Sequence, residues 1–153
     1  MKTLLIISHA PSKNTQSMLN SLVTGADEGG EGDIDIRVIS PLNACADDVL
    51  NCDAIILGTT ENLGYMSGAL KDFFDRIYYP CLEAKQGLSF CYYIRAGHDG
   101  TGTKRAIDSI CSGLKWSLIQ PALVCRGPWQ EQFLVDCKSL GATIGCGLSA
   151  GIF

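Results

Sequence analysis

Ala54-Ile55-Ile56-Leu57-Gly58-Thr59-Thr60-Glu61-Asn62-Leu63-Gly64-Tyr65-Met66-Ser67-Gly68-Ala69-Leu70-Lys71-Asp72-Phe73-Phe74-Asp75-Arg76 is the stretch on which the fold turns. Ala54 to Gly58 is a short, unbroken apolar run, as expected of a strand covered on both faces in a parallel sheet. From Ser67 onward the period changes. Leu70, Phe73, Phe74 and Ile77 fall at i, i+3, i+4 and i+7, which places them on one face of a helix with Lys71, Asp72 and Asp75 outside. Pro80 is expected to close that helix. A buried strand therefore runs through a glycine-containing loop into an amphipathic helix.

The same unit recurs on either side. Lys2 to Ser8 reads as a first buried strand; Met18, Leu19, Leu22, Val23 and Ala26 follow at helical spacing, and Gly29-Gly30 is expected to stop that helix. Ile34 to Ile39 is a second strand, and a short acidic helix lies around Ala46 to Leu50. After the quoted stretch, Leu88 to Ile94 is a fourth strand and Ala106, Ile107, Ile110, Cys111 and Leu114 form a helical stripe beginning near Thr103. A strand around Ala122 to Arg126 and a helix around Gln130 to Gly145 complete the chain. The expectation is an α/β fold in one domain, residues 1–153, with a five-stranded parallel sheet between two helical layers. Ligands of such sheets bind beyond the carboxyl ends of the strands. The loops to inspect are those after the first, third and fourth strands.

Composition narrows the classes. Lys and Arg total 12 against 16 Asp and Glu, a formal charge of -4, and basic residues nowhere cluster, so nucleic acid is not an expected partner. No apolar run approaches the roughly 20 residues of a membrane span. Neither the apolar core nor the cleavage site of a secretory leader follows Met1-Lys2, and a cytoplasmic location is expected. The 8 cysteines are scattered singly, without a Cys-x-x-Cys pair or a histidine at ligand spacing. They read as reduced, buried, small apolar side chains, with neither a disulfide framework nor a metal site expected.

The loop Ser8-His9-Ala10-Pro11-Ser12-Lys13-Asn14-Thr15-Gln16 joins a buried strand to a helix start and offers short hydrogen-bonding side chains. Backbone N–H groups at a helix N-terminus bind a phosphate without requiring a full positive charge. The plainer alternative is an N-cap in which Ser12 or Asn14 satisfies the first-turn donors. No Gly-x-Gly-x-x-Gly follows this strand and no Gly-x-x-x-x-Gly-Lys-Ser/Thr occurs, which sets aside the usual dinucleotide and nucleoside triphosphate loops. In the quoted stretch Gly58, Gly64 and Gly68 lie close to Tyr65 and Met66, an arrangement that lets backbone approach a flat ring; the alternative is a glycine-rich turn capping the core. Ala96-Gly97-His98-Asp99-Gly100-Thr101-Gly102-Thr103 again places glycines and small polar groups between a strand and a helix, with backbone N–H groups able to stabilise negative charge. His98 reads as a solvated loop histidine ahead of a proton donor.

Ser12, Asn14 and Thr15 resemble the flavodoxin-family phosphate loop, commonly Ser/Thr-x-Ser/Thr-Gly-Asn-Thr, with Ala10 in place of the first hydroxyl residue and Lys13 in place of the glycine. Gly58 to Arg76 is similar to the ring-flanking segment of flavodoxin-like NAD(P)H-dependent reductases, Gly-Thr-Pro…Gly-x-Met-Ser-Gly-x-Leu-Lys-x-Phe-x-Asp-Arg, with Thr60 where proline is usual. The likeness extends to the ending Gly151-Ile152-Phe153. It implies a flavodoxin-like three-layer sandwich of strand order 2-1-3-4-5 and non-covalent FMN, with NAD(P)H as a transient donor and a quinone or similar small molecule as acceptor. The binding residues it implies are Ser8, His9, Ser12, Asn14 and Thr15 at the phosphate. Beside the ring it implies Thr59, Thr60, Asn62, Gly64, Tyr65 and Met66, with Gly97, His98, Asp99 and Gly102 on the far edge and no catalytic side chain. Two rivals stand beside this reading: a flavodoxin-type electron shuttle, and a flavin-free binding module of the same fold. A response-regulator receiver is excluded, because Ser8-His9 and Gly58-Thr59 replace its acidic residues. Related reductases assemble from several subunits, so self-association is expected.

Overall fold

β1 (Lys2–Ser8) carries four consecutive apolar residues, Leu4 to Ile7, each with no exposed surface. Such a strand must be covered on both sides, and the rest of the chain supplies the covers. The computed structural model describes residues 1–153. In chain order β1 is followed by α1 (Lys13–Gly30), β2 (Ile34–Ile39), α2 (Ala46–Leu50), β3 (Ala54–Asn62), β4 (Tyr65–Met66), α3 (Gly68–Leu82) and β5 (Ser89–Ala96). Then come α4 (Thr101–Gly113), β6 (Ser117–Leu118), β7 (Leu123–Arg126) and α5 (Gln132–Ser149).

The main sheet is parallel, ordered β2-β1-β3-β5, with β6 and β7 both on the outer edge of β5. β6 pairs with Ser89 and Phe90 and β7 with Tyr93 to Ala96, so together they are one edge strand, the fifth of the expected 2-1-3-4-5 order. Its interruption contains Pro121, which has no N–H to give to a ladder. Side chains alternate across the sheet. Leu5, Ile7, Ile55 and Leu57 join α2, α3 and α4 on one face, while Leu4, Ile6, Ala54 and Ile56 join α1 and α5 on the other.

Two helix ends differ from the sequence expectation. Gly29-Gly30 does not stop α1; the helix runs through both, and the chain turns at Glu31 (φ 51) and Gly32 (φ 77) instead. The glycines are there for packing. A Cβ on Gly25 would lie 2.0 Å from the Lys138 carbonyl oxygen and one on Gly29 2.3 Å from that of Ala142. Gly141 and Gly145 of α5 meet the Leu22 and Ala26 carbonyls in return, at 2.1 and 2.3 Å. Pro80 likewise lies inside α3 and does not close it. It removes one N–H from the last turn, and Ile77 and Cys81, both fully buried, hold that turn on the core.

All 8 cysteines are free, but Cys45 and Cys146 are exposed, against the expectation that all would be buried. The thiolate is the reactive form, and burial pushes the Cys52 and Cys91 thiols up to about 12. Raising a thiol's pKa lowers its thiolate fraction at any given pH. The native protein at pH 8 is therefore expected to give 2 fast thiol equivalents with a disulfide reagent, and all 8 once unfolded. A third fast equivalent would contradict the burial of the other thiols.

Candidate functional site

The parallel register brings Ser8 beside Gly58 and Thr60 beside Arg95, so the loops leaving β1, β3 and β5 share the carboxyl edge of the sheet. Beneath them the strands are tied by a buried hydrogen bond of 2.6 Å between the Ser8 Oγ and Tyr93 OH groups. Burial pushes the Tyr93 phenol up, so it stays protonated. Gly58 makes room for this pair: a Cβ there would lie 2.4 Å from Ser8 Oγ and 2.5 Å from the Tyr93 ring. Sequence reasoning placed Ser8 at the phosphate; the fold buries it and engages its hydroxyl with Tyr93.

The His9 N–H donates to the Gly58 carbonyl at 3.0 Å, and the chain then enters α1 through a closed N-cap. Ser12 Oγ accepts the Thr15 N–H at 3.1 Å, and Thr15 Oγ1 accepts the Ser12 N–H at 2.9 Å and shares a 2.8 Å bond with Ser12 Oγ. These hydroxyls satisfy one another. The N–H groups of Lys13 and Asn14 have no partner within the chain, and both side chains are exposed. A cleft of about 250 Å³ opens alongside, lined by His9, Pro11, Gln16 and Ser40 among others.

The stretch after Gly58 is not a loose glycine loop. β3 continues to Asn62, turns at Leu63 (φ 54) and Gly64 (φ 74), and returns as β4, antiparallel to β3. Two successive left-handed residues make the tight turn that suits a two-residue hairpin. Leu63 projects fully into solvent and Tyr65 is 40% exposed, whereas Met66, expected beside the ring, is in the core. Thr59 Oγ1 accepts the Ser67 N–H at 3.0 Å, fixing the entry to α3. Thr60 Oγ1 donates to Asn62 Oδ1 at 2.8 Å, so Thr60 stiffens the ribbon by hydrogen bonding where proline would do so by its ring.

Across from the hairpin, the loop before α4 presents its backbone. The His98 and Gly100 N–H groups each donate at 2.8 Å to a different carboxylate oxygen of Glu61. The sequence expectation left these groups free for a reduced ring; an internal anion holds them because the hairpin carries Glu61 to them. The Thr101 N–H donates to Asp99 Oδ1 at 3.0 Å and holds the Asp99 carboxyl below the usual carboxylate range. Arg126 Nε donates to the Asp99 carbonyl at 2.7 Å from the far side. Gly102 sits against the hairpin, where a Cβ would lie 2.1 Å from the Gly64 carbonyl oxygen. Sequence reasoning overlooked Glu61, Tyr93 and Arg126. Only Glu61 carried a signal, as the one charged residue between Gly58 and Met66.

The arrangement can hold FMN at both ends. Unpaired N–H groups and the Lys13 ammonium at the start of α1 suit a phosphate. Gly64 and Gly97 have open space where a side chain would stand, so a planar ring can approach their backbones. A doubly wound sheet of order 2-1-3-4-5, with phosphate-type and ring-type loops at its carboxyl edge, defines a flavodoxin-fold flavoprotein. The family model for NADPH-dependent FMN reductases matches residues 27–125, and the chain belongs to that family. It is also 27% identical to a flavodoxin of Aquifex aeolicus over 159 residues, spanning 92% of this chain and 84% of the relative. Among solved structures, a flavodoxin from the domain Archaea is 21% identical with a TM-score of 0.77, over 95% of this chain and 96% of its own. A WrbA-like flavodoxin from Agrobacterium tumefaciens is 18% identical with a TM-score of 0.72, covering 98% of each chain. These structural likenesses show the fold; the family supplies FMN as the cofactor and electron transfer as the class of chemistry. No helix is long and apolar enough to cross a membrane.

Proposed function

We propose that this protein is an NAD(P)H-dependent reductase that passes electrons through FMN to a quinone or similar small acceptor. The observation that carries this reading is an uncovered ring site. The loop from Gly97 to Thr103 contains no tyrosine or tryptophan, its only ring being the His98 imidazole, and the tyrosines that precede it in sequence, Tyr92 and Tyr93, are 0% and 3% exposed within β5. Tyr92 is further held by donating its hydroxyl to the Asp108 carboxylate. No tyrosine or tryptophan of this loop covers the ring, so its outer face is left for two small molecules in turn.

When bound, the flavin supplies hydride and electron chemistry, and the protein supplies position and electrostatics. The Lys13 and Asn14 N–H groups and the Lys13 side chain hold the phosphate. The backbones at Gly64 and Gly97 and the side chain of Tyr65 flank the ring. Asn62, His98 and Asp99 line its rim, and no side chain is assigned to proton transfer. The likeness to a flavodoxin of similar length favours a second reading, a one-electron shuttle with a protein partner.

The test is a visible spectrum of protein reconstituted with FMN, freed of excess and then mixed anaerobically with NADH or NADPH. Retained flavin bands that bleach within seconds, and return on adding a quinone, are the expected result. Bands that stay unbleached by either nucleotide would shift the assignment to the shuttle, and failure to retain FMN would remove both redox readings.

A further inference from the structure

We propose that Glu61 is a positioning residue of this site, a clasp that joins the ring-flanking hairpin to the loop before α4 so that both walls move together. The proposal rests on the flavin reading above and adds a role for a side chain that does not itself touch the reacting atoms.

Several features support the clasp. The Glu61 carboxylate spends both oxygens on backbone donors 37 and 39 residues away, His98 and Gly100, each at 2.8 Å. It lies within 4.0 Å of no cation, so its charge is met by these N–H dipoles and by the positive end of the α4 helix. α4 for its part has Gly100, which lacks a side chain, at its N-cap; Asp99 accepts the Thr101 N–H, and Glu61 accepts that of Gly100 from another strand. The contact is also close in backbone terms. Gly102 packs on the Gly64 carbonyl without room for a Cβ, so the hairpin cannot drift while the carboxylate stays seated. The hairpin needs such a tie, because Leu63 holds a left-handed conformation with a fully exposed side chain and no packing of its own.

The consequence is a division of labour along the flavin. The clasp orders the walls of the ring, and α1 orders the phosphate, so losing the clasp should weaken every flavin equally. The experiment compares wild type with Glu61→Gln, whose amide NH2 cannot accept the second N–H. In flavin-free protein, amide exchange at His98, Gly100 and the hairpin is expected to quicken roughly tenfold or more, with the remaining amides unchanged. In fluorescence titrations FMN and riboflavin are expected to lose affinity by the same factor, again roughly tenfold, since only the ring walls are disturbed. Unchanged exchange at His98 and Gly100, or a loss confined to FMN, overturns the proposal. Glu61→Asp, one methylene too short to reach both donors, is expected to repeat the local pattern. Uniformly faster exchange across the chain in both variants would mean a general structural role and would also overturn it. If wild type binds no flavin, the functional reading fails while the exchange measurement still decides the clasp.

Discussion

The double substitution Gly25→Ala/Gly141→Ala is expected to lower the thermal midpoint by roughly 8–16 °C, on the scale of 2–4 °C per kcal/mol for a chain of this size. Two effects of opposite sign compete. Replacing glycine by alanine within a helix is intrinsically favourable by about 1 kcal/mol at each site. Against that, each new Cβ would lie 2.0 or 2.1 Å from a backbone carbonyl oxygen of the opposite helix, and backbone cannot swing aside as a side-chain tip can. α1 is pinned to the sheet by Met18 and Leu22, and α5 by Cys137 and Ile144, all of them buried. Neither helix can retreat without opening the core. Overpacking of this kind costs up to about 3 kcal/mol per site, leaving a net loss near 4 kcal/mol for the pair. That is a large share of the roughly 5–15 kcal/mol that holds a domain folded. Gly147→Ala is the control, because its Cβ would meet only the ring of Phe153, a side chain at the end of the chain. Thermal denaturation followed by far-ultraviolet circular dichroism measures all three proteins. A double variant that melts at or above wild type would show that the helices are free to separate.

Gly102→Val is expected to reduce FMN affinity about a hundredfold while leaving the fold intact, if the two seated carboxylate bonds contribute about 1.5 kcal/mol each. The substituted Cβ would lie 2.1 Å from the Gly64 carbonyl oxygen, and valine adds two further methyl groups beyond it. The hairpin must move, because α4 is anchored by Ile107 and Cys111 in the core whereas the hairpin tip faces solvent. Once it moves, the 2.8 Å contacts from His98 and Gly100 to Glu61 cannot both persist. Quenching of flavin fluorescence on titration measures the affinity, and the melting temperature reports the fold. Gly147→Ala again provides the comparison, since it lies against Phe153, whose carbonyl is bonded by Lys2 at the opposite edge of the sheet from the ring loops. Equal affinities for Gly102→Val and wild type would mean that the hairpin and the α4 loop need not touch for the flavin to bind.

Much of the framework is legible along the chain. Ile34–Ile39 and Ala46–Leu50 form where their patterns place them, and the stripe Leu70, Phe73, Phe74 and Ile77 is the buried face of α3. The three loops singled out for ligand binding do share one edge of the sheet. The errors have a common character. Gly29-Gly30 looks like a helix stop, yet α5 passes so closely that only glycine fits there. Pro80 looks like another, yet the core holds the turn in which it sits. Met66 looks like a ring neighbour, yet the return strand of the hairpin turns it inward.

Periodicity along the chain determined the strands, the helical faces and the doubly wound class, because whether a side chain seeks the core is a property of its own chemistry and of its spacing from near neighbours. Only the tertiary structure decided that Ser8 bonds Tyr93, that glycines join α1 to α5, and that Glu61 closes on His98 and Gly100. Those contacts depend on the approach of segments distant in sequence, and such an approach leaves no periodic trace in either segment.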